Sequence, residues 1–80
     1  MGFFQNSKAD LGAMAAAALD GGRRRFAVRL VALSGSKDDA IDPWSERIEA
    51  IEEKGWELDR FSVAPNEKGW VEAYVVFKRS

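Results

Sequence analysis

The chain predicts an α+β fold. It reads as an N-terminal helix followed by a β-α-β-β unit, with a three-stranded antiparallel sheet in the order 1-3-2 and one helix packed on one face. Three observations lead there. An alanine-rich run stops at Gly21-Gly22, a second helical stretch is bracketed by Asp42-Pro43 and Gly55, and beyond Gly55 the apolar period changes to two.

Residues 5–19 form the first predicted helix. Ala9, Ala13 and Ala15 through Ala18 have the highest intrinsic helix propensity, Asn6 or Ser7 supplies a cap, and the glycine pair ends it. Phe4, Leu11, Met14, Ala15, Ala18 and Leu19 make a narrow apolar stripe. Such a helix is marginal in water alone, so it frays or packs. Residues 24–33 alternate as a strand, with Phe26, Val28, Leu30 and Ala32 on one side and Arg25, Ala27, Arg29, Val31 and Leu33 on the other. A polar loop, Ser34 to Asp39, leads to the second helix. There Asp42 is expected to accept the orphan amides and Pro43 to occupy the first helical position. Trp44, Ile48 and Ile51 share a face, and Gly55 is the expected left-handed stop.

In the next strand Trp56 and Leu58 have the opposite parity to Phe61 and Val63. Either a bulge near Asp59-Arg60 reconciles them, or Trp56 and Leu58 pack under the helix end before the strand proper. Ala64 to Gly69 forms the hairpin loop, and the last strand sorts into Val71, Ala73, Val75, Phe77 against Trp70, Glu72, Tyr74, Val76, Lys78. The β-α-β portion is expected to cross over right-handedly, and placing the last strand between the other two makes every neighbouring pair antiparallel. Two parts follow: residues 1–22, a helix and Gly-Gly linker acting as a docking or assembly arm, and residues 23–80, the small domain.

Composition narrows the function classes. The chain has 80 residues, a net charge of −1, and neither cysteine nor histidine. Disulfides and thiolate metal sites are excluded, and a carboxylate-only zinc site is contrary to that metal's preferences. No cofactor is expected. The cysteine-free composition points to a reducing cytoplasm. No apolar run approaches the ~20 residues of a membrane span, and Met1 to Phe4 has neither a signal peptide's basic start nor, with Asn6 in place of Ser or Thr, a myristoylation motif. A domain this small buries little surface and commonly needs a partner.

Glu53-Lys54-Gly55-Trp56-Glu57-Leu58, a short hairpin and the terminal Val76-Phe77-Lys78-Arg79 resemble the bacterial domain-of-unknown-function 4177 family over residues 24–79, with its "GWEL" after the helix and "FKR" near the end. The resemblance implies a strand–helix–hairpin unit and no catalytic residues. The N-terminal helix lies outside it.

The second face of the sheet is the main candidate surface. By parity it carries Arg25, Arg29 and Val31 with Trp70, Tyr74 and Val76. Aromatics among basic groups on a bare sheet can stack single-stranded bases. The plainer reading is that the N-terminal helix or a second copy buries them, since apolar patches usually mark interfaces and symmetric pairing is the commonest assembly. Arg23-Arg24-Arg25 can grip phosphate, but such a run is more often a solvated or charge-paired edge, and the acidic total disfavours the former. Asp38, Asp39 and Asp42 lack the glycine and distal glutamate of a calcium loop. No nucleophile lies beside a plausible base and no glycine-rich phosphate loop follows a strand, so catalysis is not expected. Phe3, Phe4, Leu11 and Met14 on the first helix are the second candidate surface, for a protein partner rather than a membrane, because only Lys8 precedes the linker as a cation.

The sequence reading is therefore a small non-enzymatic cytoplasmic interaction module. It self-associates through the sheet face or the N-terminal helix. A single-stranded nucleic-acid or nucleotide binder is the alternative, and a phage-type accessory protein bound to one target is compatible with the same residues.

Overall fold

The computed structural model describes residues 7–34 and 40–80. Its elements are α1 (Lys8–Asp20), β1 (Arg25–Arg29), α2 (Asp42–Glu52), β2 (Trp56–Pro65) and β3 (Val71–Arg79). The three strands form one sheet in the order β1-β3-β2, antiparallel throughout, as the hydrophobic pattern predicts.

Local chemistry sets the boundaries of α1. The Ser7 side chain accepts from the Asp10 amide at 3.1 Å and caps the helix start. At the other end Gly22 has φ +85°. The amide of Gly22 reaches Leu19 O at 3.1 Å and that of Arg23 reaches Ala18 O at 3.0 Å, the paired bonds of a Schellman stop.

The entry to α2 differs from expectation. Ile41, not Asp42, is the cap residue, and Asp42 makes no side-chain capping bond. Pro43 therefore stands second in the helix, where its missing amide is still no loss. Asp42 in the first turn acts through its charge on the helix dipole.

Both helices lie on the same face of the sheet. The indole NH of Trp56 donates to Ala15 O of α1 at 2.9 Å, and that of Trp44 in α2 to Val31 O at 2.7 Å. Leu11 and Ala15 of α1, Trp44 and Ile51 of α2, and Phe26, Trp56, Ala73, Val75 and Phe77 of the sheet belong to one buried core. The Phe26 ring stacks on Trp56 at 5.8 Å. The described part of the N-terminal segment thus shares the domain's core.

Register irregularities flank β3 on both sides. On β2 the pairing jumps between Leu58 and Arg60, leaving Asp59 as the extra residue. Trp56, Leu58, Phe61 and Val63 then all fall on the helix-side face, which is the bulge alternative stated above. On the β1 side, Arg29 opposes Tyr74 and Leu33 opposes Val71, four residues along one chain against three along the other. The additional residue turns both Leu30 and Val31 inward, so Val31 is buried at 7% exposure. Strict alternation through residue 33, which put Val31 and Leu33 on the open face, fails for this reason.

Candidate functional site

The face of the sheet opposite the helices is covered by none of the described elements. Across it, in register, lie Arg25, Ala27 and Arg29 of β1; Lys78, Val76 and Tyr74 of β3; and Glu57, Arg60 and Ser62 of β2. Of the residues expected to form an interface, this face brings together Arg25, Arg29, Tyr74 and Val76. Trp70, one residue before β3, has the matching parity and is 39% exposed.

The other expected interface residues lie elsewhere. Val31 is buried, as above. Leu11 is fully buried because α1 packs its stripe against α2 and Trp56, so it is a core residue and not a contact for a partner. Met14, on the outer side of the same helix, is 43% exposed. Phe3 and Phe4 lie outside the described residues, as do Asn6, Asp38 and Asp39.

A polar network organises the upper part of the open face. Asn66 Oδ1 accepts from the amides of Lys68 at 2.9 Å and Trp70 at 3.0 Å, which shapes the hairpin turn and sets the backbone at Trp70. Asn66 Nδ2 donates to Glu72 Oε2 at 3.3 Å, and the Tyr74 hydroxyl donates to Glu72 Oε1 at 2.6 Å. Both carboxylate oxygens are thereby occupied. The Tyr74 hydroxyl holds the Glu72 carboxyl below the usual carboxylate range, against an opposing desolvation cost, and Asn66 and the charge of Arg29 add lesser lowering effects. The same bond pushes the Tyr74 phenol up. Sequence reasoning named Tyr74 but missed Glu72 and Asn66. The signal was present: Glu72 and Tyr74 stand two apart on one strand and so share a face.

Lower on the face two of the cations are paired. Arg25 reaches Asp59 Oδ2 at 2.8 Å, and Lys78 lies 3.8 Å from Glu57 Oε2. Asp59 is the bulged residue, so the irregularity that corrects the β2 parity also presents a partner to Arg25. The face thus carries two ion pairs around Ala27, Val76 and Tyr74, with Arg29 and Arg60 beside them.

Concavities also mark the described surface. A groove of about 530 Å³ between α1 and α2 has a floor of Ala9, Gly12 and Ala50 and charged walls that include Lys8, Glu46, Glu49 and Lys54. A smaller recess of about 310 Å³ lies at the hairpin beside Lys68 and Trp70. Among the described residues no group of three or more acidic side chains is arranged to hold a metal, and no helix is long and apolar enough to cross a membrane.

No family model matches the chain, and no match is found among curated proteins or solved structures.

Proposed function

We propose that the protein is a small, non-enzymatic cytoplasmic interaction module that assembles with itself through its sheet. The observation that supports this is the placement of both helices on one face. With α1 engaged in the core, the sheet retains a three-strand face and the outer edges of β1 and β2, which no other described element covers. Trp70 and Tyr74, each about two-fifths exposed, supply the aromatic area that interfaces favour.

Ion pairing turns the reading away from nucleic acid. A phosphate-binding face relies on cations free to replace counterions, whereas two of the four on this face, Arg25 and Lys78, already face Asp59 and Glu57, leaving Arg29 and Arg60. Oligonucleotides are accordingly expected to leave Trp70 fluorescence unchanged at low salt.

Sedimentation velocity of the full chain tests the proposal. A mass above that of the monomer, growing with concentration, is expected in the micromolar range. A clean monomer at high micromolar concentration overturns it.

A further inference from the structure

We infer that two copies of the chain join through the outer edge of β2, centred on Ser62, to form one continuous six-stranded antiparallel sheet. This rests on the assembly reading above and assigns its contact to the strand edge instead of the open face.

The hydrogen-bond phase of β2 follows from its hairpin. The Asn66 amide bonds Trp70 O at 2.7 Å, which makes that opposed pair a bonded one. In an antiparallel ladder bonded and non-bonded pairs alternate. Ala64, Ser62 and Arg60 therefore direct their amides and carbonyls to β3, while Phe61 and Val63 direct theirs outward. The bonds of Val71 to Leu33, at 2.8 and 2.9 Å on the β1 side, agree with this phase, because they leave Val71 unbonded to Pro65. No backbone hydrogen bond among the described residues reaches the outward groups of Phe61 or Val63.

The side chains at the same two positions are also uncovered. Phe61 and Val63 point to the helix side of the sheet, yet they are 45% and 47% exposed, because the core ends near Trp44, whose ring meets Phe61 edge-on at 6.0 Å. An outer strand with free amides and exposed apolar side chains is a template for another strand unless it is guarded.

The guards on β2 select the register. The Asp59 bulge interrupts the strand at one end and Pro65, which has no amide, stops it at the other. The regular stretch between them is Arg60–Ala64, and its midpoint is Ser62. A two-fold axis through Ser62 uses all of it in both copies. Phe61 of each copy then exchanges both backbone bonds with Val63 of the other, and their side chains become cross-strand neighbours. On the opposite face Ser62 meets Ser62, and Arg60 meets Ala64. Sliding the axis to Arg60 would oppose like charges, and sliding it to Phe61 would bring the bulge into the ladder. The centred register avoids both penalties and is self-complementary, as a two-fold contact must be.

A cysteine scan on the full chain tests this without background, since the protein has no cysteine of its own. Ser62→Cys places two thiols across the axis in a non-bonded pair, whose ~4.5 Å Cα separation suits a disulfide. Val76→Cys lies on β3 opposite Arg60, two residues from the axis, so its two copies would stand three strand spacings across and four residues along, roughly 20 Å apart. Diamide oxidation is expected to give a reducible covalent dimer from Ser62→Cys and none from Val76→Cys. Val63→Lys, a charge on the free edge, should return the sedimenting dimer to monomer. A wild-type dimer that cross-links through Val76→Cys, or that survives Val63→Lys without Ser62→Cys cross-linking, overturns the edge contact and leaves assembly standing. A wild-type chain that stays monomeric at high micromolar concentration overturns both.

Discussion

At the scale of single residues, the open face is governed by one short bond. The Tyr74 hydroxyl donates to Glu72 at 2.6 Å, and it is the largest influence on both groups. The carboxyl is depressed, so its contribution is present above the ordinary carboxylate range and is lost as pH falls through the lowered value. The phenol is raised, so its contribution is present below the ordinary phenol range and is lost as pH rises through the higher value. The bond therefore spans neutral pH and fails at both extremes. Tyr74→Phe is expected to move Glu72 titration back up toward an ordinary glutamate, as followed by carboxyl carbon NMR. An unmoved titration would mean that Asn66 and Arg29 hold the carboxylate without the phenol.

Gly55 presents a second residue-scale constraint. Its φ of +106° disfavours any side chain, and a Cβ there would stand 3.1 Å from Leu19 Cδ2 of α1. Strain in that backbone region costs about 1–2 kcal/mol. Gly55→Ala should lower stability by at least that much in urea denaturation. The sequence made Gly55 legible as a helix stop. It did not reveal that the same position is where α1 lands, because a contact between residues 19 and 55 leaves no periodic trace.

At the scale of elements, α1 decides how the molecule is divided. The alanine-rich stripe and the glycine pair are the features of a tethered arm, and the helix and its ends were readable from them. Its destination was not. Three long-range contacts fix it: the Trp56 indole on Ala15 O at 2.9 Å, Gly12 close against Ala50 and Lys54, and Arg79. The Arg79 guanidinium donates to Leu19 O at 3.0 Å and Arg23 O at 2.7 Å, and it lies 5.7 Å from the centre of the Trp56 ring. A cation at the carbonyl end of α1 suits the helix dipole. The terminal Phe-Lys-Arg motif thus ties the last strand to the first helix. Leu11→Ala should cost about 2–5 kcal/mol, the usual range for a buried leucine. Because Leu11 belongs to the common core, tryptophan emission and helical circular dichroism should shift together. Loss of the helical signal alone would restore the picture of an independent arm.

The sheet order was legible because three strands could be recognised and, with a β-α-β crossover, only one arrangement makes all neighbours antiparallel. Its phase was less so. The Asp59 bulge could be suspected, since Trp56 and Leu58 contradict Phe61 and Val63. The extra residue after Arg29 could not, because Leu30, Val31, Ala32 and Leu33 are apolar without interruption and fit either parity. Two of the expected interface residues moved into the core for these reasons, Leu11 through packing and Val31 through register.

At the scale of the whole molecule, a chain with one small core has little stability in reserve, and single domains of this size lie at the low end of the usual range. Assembly through the β2 edge would add to it by mass action, since a contact made only by the folded chain favours folding as concentration rises. Where the dimer dominates, a tenfold increase in protein adds about 1.4 kcal/mol per dimer. For a unit of this combined size that is a rise of roughly 3–6 °C in the thermal midpoint. Val63→Lys should abolish the concentration dependence while leaving the midpoint of the dilute protein nearly unchanged, because Val63 is almost half exposed and outside the buried core. Differential scanning calorimetry over two decades of concentration distinguishes the outcomes. A midpoint that rises equally in wild type and Val63→Lys would place the contact away from the β2 edge. A midpoint that does not rise in either would mean that the chain folds as a monomer.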